Sequence, residues 1–232
     1  MLILGIESAS LTASVALLQD GRQLAEYTID YKKTHSQTLL PMIDEICRMT
    51  ETAPAQIDAI AVSAGPGSFT GLRIGSATAK GLGLALKKPL ISVPTVGAMA
   101  YQCYGSRYLL CPIMDARRSQ VYTGLYEFTE DGTFCTILEQ VPMAIEDLLK
   151  KVNDLGRTVL FLGDGVPPYA ERIQELAEVP VLFAPPFMAR QRAGAVAALG
   201  QVYYAAGKYE TAAEHRPEYL RQSGAERMHK EQ

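Results

Sequence analysis

The chain has 232 residues, of which 48% are hydrophobic, and its formal net charge is −3 at pH 7. This composition is sufficient for a substantial core, arranged as one large domain or two small ones. The slight negative charge indicates that no overall basic field would draw the chain onto nucleic acid by itself.

Metal-binding and redox motifs are missing from the sequence pattern. The four cysteines, Cys47, Cys103, Cys111 and Cys135, form no Cys-x-x-Cys pair, which favours reduced, mostly buried thiols in a cytosolic protein. His35 has no second histidine one helical turn later, and no His-Glu-x-x-His occurs. We therefore predict a cytoplasmic protein with no metal, no cofactor and no membrane-spanning segment.

Hydrophobic runs in the first half predict three strands, a helix and then alternating elements. The predicted strands are residues 2–6, 12–18, 23–29, 59–62 and 90–93, and the predicted helices are residues 35–49, 71–86 and 96–104. Asp20 and Gly21 form a two-residue hairpin signal. Pro41 allows two starts for the first helix: with Thr38 as the N-cap it falls in the first turn, and an earlier start places it inside the helix.

The second half repeats this order of elements. Its predicted strands are residues 108–114, 121–128, 134–141, 158–162 and 181–183, and its predicted helices are residues 144–155, 168–177 and 193–206. Glu7 then corresponds to Asp115, and the loop at Gly65 corresponds to the loop at Gly163. We divide the chain into domains 1–104 and 105–232. The sequence leaves open which of the two domains the last helix packs on. The polar stretch 206–232 predicts a frayed end.

A glycine-rich loop separates the strand at 59–62 from the helix at 71–86. Strand, glycine loop and helix form a layout in which backbone N–H groups face an anion, here at Gly65, Gly67, Ser68 and Gly71. The loop is not a Walker A motif, because no Gly-Lys-Ser/Thr follows, and Thr70 replaces the third glycine of a dinucleotide fingerprint. The alternative is a tight turn without a ligand.

The amino-acid sequence around this loop resembles a family signature. Residues 63–75, SAGPGSFTGLRIG, and residues 79–82, AKGL, closely resemble the TsaB family, paralogues of TsaD that serve threonylcarbamoyl-adenosine synthesis on tRNA. Residues 114–117, MDAR, and the Tyr-Leu-Arg at 219–221 extend the resemblance to nearly the whole chain. It implies an α/β fold with two ribonuclease-H-like domains facing each other, as in the actin and Hsp70 ATPases.

The resemblance also implies a role without catalysis. TsaB proteins resemble degenerate members of this fold, and the transfer of threonylcarbamoyl from an adenylate to the adenosine beside the anticodon would belong to TsaD. TsaE, a small ATPase, would complete the assembly. Glu7 and Asp115 then accept N–H bonds from their own turns, whereas in an independent actin-like ATPase or kinase they would do acid–base or metal work. A metalloprotease is a third, disfavoured alternative.

Two helices carry the expected association surface. In the second helix Gly71, Gly75, Ala79 and Gly83 recur every four residues and form a ridge of small side chains. This ridge packs either on the domain's own sheet or on a partner's helix. We expect Ala79 to lie at or near the partner.

Apolar positions on the first helix form two lines, which is more than one sheet needs. TsaB and TsaD pair through these two helices, which implies the following interface: Leu39, Met42, Ile46, Met49, Arg73, Gly75, Ala79 and Gly83. Without TsaD, two copies of this chain would pair through the same surface. Small arginine clusters, such as Arg117 and Arg118, are either solvated or part of a joint tRNA surface, so tRNA contact is expected only indirectly.

Overall fold

The structure is a computed structural model that describes residues 1–31, 33–117 and 119–221. Its strands form two five-stranded sheets, one from each half of the chain. The first sheet contains Leu2–Glu7 (β1), Thr12–Gln19 (β2), Arg22–Asp30 (β3), Ala59–Gly65 (β4) and Leu90–Pro94 (β5). The second contains Leu109–Asp115 (β6), Gln120–Phe128 (β7), Phe134–Ala144 (β8), Val159–Leu162 (β9) and Val181–Phe183 (β10). The helices are His35–Met49 (α1), Phe69–Leu86 (α2), Thr95–Tyr101 (α3), Ile145–Asp154 (α4), Val166–Leu176 (α5) and Ala193–Ala205 (α6), with a 3-10 turn at Pro54–Gln56.

Both sheets have the same strand order, in which the third, second, first, fourth and fifth strands lie side by side. In each sheet the first three strands are antiparallel, and the fourth and fifth run parallel to the first. This is the arrangement of a ribonuclease-H-like domain. The duplicated, actin-like α/β fold expected from the sequence is therefore confirmed.

Equivalent positions in the two halves adopt equivalent conformations. Glu7 ends β1 and Asp115 ends β6. Gly65 ends β4 with φ of 128°, and Gly163 follows β9 with φ of 112°, a region that favours glycine. The correspondence that we inferred from element order alone is confirmed by these backbone angles.

The hairpin between β2 and β3 also agrees with its sequence signal. Asp20 and Gly21 have φ of 49° and 79°, as a type I′ turn requires. Gln19 pairs with Arg22 directly across this turn.

Side chains on the first sheet alternate between two helical layers, because successive residues of a strand point to opposite faces. Leu4 and Ile6 pack with Ile46 and Ala79 in the layer formed by α1 and α2. Ile3 packs with Val196 and the rest of α6 on the other face. A third cluster lies between the second sheet and helices α4 and α5, and Phe161 and Leu148 are among its fully buried members.

The last helix returns to the first half. Helix α6 packs on β1, β2, β4 and β5. A Cβ added to Gly5 would overlap the carbonyl oxygen of Ala193, so the helix approaches the strand closely. The question left open by the sequence is thus answered: this element belongs to the first sheet by packing.

The chain after α6 is also packed, against our expectation of fraying. Glu210 and Leu90 exchange two backbone hydrogen bonds of 2.9 Å, and His215 is fully buried. Specific polar contacts hold this segment, which composition alone does not reveal. The prediction was therefore wrong for residues 206–221, and residues 222–232 lie outside the described part of the chain.

Helix α1 begins at His35 with Thr34 as its N-cap, so Pro41 lies inside it. The alternative start after Thr38 is wrong. Pro41 is exposed, and the carbonyl of Gln37, which loses its intrahelical donor, belongs to an exposed residue that water can reach.

All four cysteines are free thiols, and Cys47, Cys103 and Cys111 are buried. Burial raises the pKa of Cys103 to about 11 and that of Cys111 to about 12, so both stay protonated at neutral pH. The expectation of mostly buried thiols is confirmed. Among the described helices, none is long and apolar enough to cross a membrane.

Candidate functional site

The cleft between the halves contains Glu7, which is fully buried. Its Oε1 accepts a 2.6 Å hydrogen bond from the backbone N–H of Ala9, as expected for a carboxylate that stabilises its own turn. Its Oε2 is buried and has no hydrogen-bond partner among the described residues. Burial raises the pKa of Glu7 to about 7, because desolvation disfavours the charged form.

Two carboxylates of the second half lie near this cleft. Asp115 is exposed, and its Oδ1 accepts a 2.8 Å hydrogen bond from the N–H of Arg117. Asp164 is mostly buried, which raises its pKa, although Arg190 opposes this shift. Asp164 also raises the pKa of Glu7 slightly by charge repulsion. Glu7 and Asp115 therefore both accept the hydrogen bonds from their own turns that the sequence led us to expect.

Apolar side chains from both halves fill the space between them. Ala9 and Leu72 of the first half share one buried cluster with Met99 of α3 and with Met114 and Leu162 of the second half. Each of the five is at most 3% exposed. The region that would have to admit a polar ligand is therefore packed like a protein core.

The four predicted anion-binding residues lie together at the junction of β4 and α2. Their backbone and hydroxyl groups contact neighbouring parts of the same chain. The N–H of Ser68 donates to the carbonyl of Ala9 at 2.6 Å, and the Ser68 hydroxyl accepts from the N–H of Gly71 at 3.4 Å. A Cβ at Gly67 or Gly71 would overlap the carbonyl oxygen of Ala9 or Ser8, respectively. Close backbone packing thus accounts for these glycines, and anion binding stays a prediction.

The ridge of small residues on α2 faces the protomer itself, so our placement of Ala79 near a partner is wrong. Ala79 is fully buried in the core shared with α1. A Cβ at Gly75 would overlap the Ser8 hydroxyl, and one at Gly83 would overlap the Leu90 side chain. These residues are small because the helix lies close to its own sheet.

Helix α1 divides its predicted interface residues in the same way. Leu39, Met42 and Ile46 are buried in the first core, so they are not available to a partner. Met49 is 63% exposed, as an interface residue must be. The two apolar lines of this helix mostly serve its contacts with β2 and with α2.

Arg73 remains on the surface at the start of α2. Its guanidinium stacks over the ring of Phe69 at 3.9 Å from the ring centre. Its Nε donates to the hydroxyl of Tyr219 at 3.4 Å. Arg73 is thus held in place by two aromatic residues while its helix face stays open.

The outer face of α1 and α2 contains residues that the sequence did not single out as an interface. Leu40 is 54% exposed and Leu84 is 64% exposed, whereas large aliphatic side chains are usually buried. Ala77 and Gly81 lie between Arg73 and Leu84 on the exposed side of α2. We call the following residues the outer helix face: Leu40, Met49, Arg73, Ala77, Gly81 and Leu84.

The outer helix face is offset by two residues from the ridge that the sequence favoured. Among the members that were not already predicted as interface residues, Gly81 has a usable sequence signal, because a glycine inside a helix needs a packing reason. Its neighbours Ala77 and Leu84 carry no such signal, since alanine and leucine suit either face of a helix.

Basic residues near the cleft are mostly paired with acidic ones. Arg190 forms a 3.2 Å ion pair with Asp30, and Arg192 pairs with Glu26. Arg118 lies outside the described residues. Within the part of the chain that the structure describes, no group of three His, Cys, Asp or Glu side chains could hold a metal ion.

Comparison with known proteins identifies the family. A family model described as TsaD, tRNA N6-adenosine threonylcarbamoyltransferase, matches residues 23–228. The tRNA threonylcarbamoyladenosine biosynthesis protein TsaB of Bacillus subtilis is 32% identical over 226 residues, which cover 97% of this chain and 96% of that relative. The chain belongs to the TsaB family.

Two further relatives agree with membership of the TsaB family. TsaB of Escherichia coli is 39% identical over 168 residues, covering 71% of this chain and 72% of that relative. The solved structure of YeaZ from Pseudomonas aeruginosa has a TM-score of 0.81 and 27% identity, and the match covers 94% of this chain and 99% of that one.

Proposed function

We propose that this chain is a non-catalytic partner of TsaD in the threonylcarbamoylation of the tRNA adenosine beside the anticodon. It pairs with TsaD through the outer helix face, and TsaE joins a larger complex. Without TsaD, two copies of the chain pair through the same face, and tRNA is contacted only indirectly. Membership of the TsaB family and the match to the TsaD family model support this proposal. The expectation of a cytoplasmic protein stays a prediction.

Gly81 is the single observation that carries the choice of surface. It lies in the interior of α2 and is exposed, and apart from its chain neighbours and the nearby backbone of α2, a Cβ built on it would meet no described atom within 4 Å. A glycine at such a position costs about 1 kcal/mol relative to alanine. The described part of the protomer gives no reason for this cost, whereas a partner helix that approaches α2 closely would.

The exposed aliphatic residues around Gly81 support the same surface. The strands that α1 and α2 connect run parallel to each other, so the two helices point the same way and their C-terminal ends lie at one end of the layer. Met49 and Leu84 are both near those ends and are more than half exposed. Covering them with a partner would remove apolar surface from water.

The packed cleft supports a role without catalysis. A nucleotide or an acid–base mechanism at Glu7 would require the apolar cluster of Leu72, Met99, Met114 and Leu162 to separate. The alternative of an independent actin-like ATPase or kinase would need such a movement. The alternative of a metalloprotease would need a metal-binding group, and the described residues offer none.

The variant Gly81→Arg tests the pairing. Because Gly81 is surrounded by open space in the protomer, the variant should fold, and arginine is the better helix former. At an interface it would insert bulk and an unpaired charge, so we expect TsaD affinity to fall by about 100-fold or more, measured by calorimetry with TsaD of the same source.

Gln174→Arg is the matched control, because it places the same side chain at an exposed position of α5 in the second half. It should bind TsaD like the unmodified chain. If Gly81→Arg is folded and also binds TsaD with unchanged affinity, α2 does not form the interface and the proposed surface is wrong.

A further inference from the structure

The segment that follows α6, residues 207–221, crosses the first half and ends between the two halves. Its beginning is held to the edge strand β5 by the two backbone hydrogen bonds between Glu210 and Leu90. Tyr209 stacks on Tyr204 of α6 with ring centres 4.9 Å apart. We call residues 217–221, its far end, the tail end.

A buried histidine fixes the middle of the segment. The Nδ1 atom of His215 lies 2.9 Å from both the Oε1 atom of Glu210 and the hydroxyl of Ser92. The ammonium group of Lys80 on α2 donates to the carbonyl of His215 at 3.1 Å. The segment is therefore bound along the side of α2 before it reaches the cleft.

The tail end contacts the glycine loop of the first half. The N–H of Glu218 donates to the carbonyl of Ala64 at 2.6 Å. The carbonyl of Glu218 occupies the space that a Cβ at Gly65 would need. Tyr219 packs on Phe69 in the first turn of α2, with ring centres 4.7 Å apart.

The tail end also contacts the second half, through two side-chain hydrogen bonds. Gln140 on β8 donates from Nε2 to the Oε2 atom of Glu218 at 2.6 Å. Arg221 donates from Nη1 to the carbonyl of Ala116, directly after β6, at 2.6 Å. One short segment thus bridges the two domains beside the loop that joins β4 to α2.

We propose that the tail end is a latch that holds the mouth of the interdomain cleft shut over the glycine loop. While Glu218 lies against Gly65, the loop is covered from that side. The latch is joined to the second half by two side-chain hydrogen bonds, one of which is solvent-exposed, whereas the part around His215 is buried and firmly bound. The tail end therefore releases before the rest of the segment, and its release opens the loop to water.

This inference is independent of the pairing with TsaD, since it concerns the cleft within one chain. The alternative is that the tail end is a passive cover, and that the apolar cluster between the halves alone keeps the cleft closed. The two hypotheses predict different behaviour of the loop when the two hydrogen bonds between the tail end and the second half are removed.

The double variant Gln140→Ala/Arg221→Ala removes both bridging side chains, which are partly exposed. Amide hydrogen exchange of the full chain reports on the cleft through Glu218, Ser68 and Ala9, whose N–H groups are hydrogen-bonded there. Losing two net side-chain hydrogen bonds should speed exchange at these three amides by roughly tenfold. Exchange at Leu90 and Glu210, which hold the bound part of the segment, should not change.

Tyr209→Ala is the control, because it removes a ring of the same segment without touching the second half. It should leave the exchange of Ser68 and Ala9 unchanged. If the double variant speeds exchange at Glu218 but not at Ser68 and Ala9, the tail end is a passive cover and the latch is wrong. A uniform rise that includes Leu90 would show global loosening instead and would also contradict the latch.

Discussion

Glu7 shows how burial determines the behaviour of a single residue. Its position after the first strand, and its hydrogen bond to the following turn, could be anticipated from the sequence. Its raised pKa could not, because the complete burial of this carboxylate arises only in the folded protein and leaves no local pattern in the sequence. Burial, rather than a partner charge, is the main cause of the shift.

The raised pKa makes stability depend on pH. Between the ordinary pKa of 4.5 and the folded value of about 7, the folded chain holds a proton on Glu7 that the unfolded chain has lost. The stabilising contribution of Glu7 to the free energy of unfolding is therefore fully present below pH 4.5. It is lost as pH rises towards 7, and the total loss is roughly 3 kcal/mol.

Glu7→Gln should abolish this dependence, because glutamine keeps the Oε1 acceptor for Ala9 and carries no charge. We expect the variant to be more stable than the unmodified chain at pH 8 and to differ little from it at pH 4.5. Urea unfolding at both pH values measures the difference. Equal stability of the two proteins at pH 8 would show that Glu7 is not desolvated as the structure indicates.

At the scale of one element, α2 shows what spacing can and cannot predict. The four-residue repeat of Gly71, Gly75, Ala79 and Gly83 was a correct sign of close packing, and the helix itself was predicted within two residues of its start. The repeat could not show which neighbour it packs on, because the sheet of the same domain and a partner's helix impose the same demand for small side chains. Burial of Ala79 decides for the sheet.

Two alanines of α2 separate its faces experimentally. Ala79→Arg would bury a charge in the first core, so we expect it to lose several kcal/mol, on the order of 4 or more, or to fail to fold. Ala77→Arg is on the outer helix face, so its free energy of unfolding should stay within about 0.5 kcal/mol.

Urea denaturation followed by circular dichroism measures both variants. The comparison is matched, since each change replaces alanine by arginine on the same helix two residues apart. A stable, folded Ala79→Arg protein would mean that this side of α2 is open, as the sequence alone had suggested.

The segment that follows α6, residues 207–221, was the element that the sequence predicted least well. Its charged and polar residues are typical of a frayed end, yet His215, Glu218 and Arg221 each make specific contacts with distant parts of the chain. Such long-range hydrogen bonds leave no periodic pattern, so they become visible only in the structure.

At the scale of the whole molecule, the duplicated fold places two facing domains around a cleft that is packed rather than open. The order of elements was sufficient to predict the duplication, because each half repeats the same succession of strands and helices. The closed cleft and the outer helix face depend on how the halves and helices meet, and no local pattern encodes that. Together they favour a molecule that acts through its surface rather than through its cleft.

Reconstituted tRNA modification tests this conclusion most directly. TsaD, TsaE, tRNA and the threonylcarbamoyl adenylate are combined with this chain, and the modified adenosine is quantified for the unmodified protein, Glu7→Gln and Gly81→Arg. We expect Glu7→Gln to support full modification and Gly81→Arg to support little, because the proposed function assigns the role of the chain to α2 and not to its cleft carboxylate. Loss of modification with folded Glu7→Gln, together with full modification by Gly81→Arg, would contradict a non-catalytic partner and favour chemistry in the cleft.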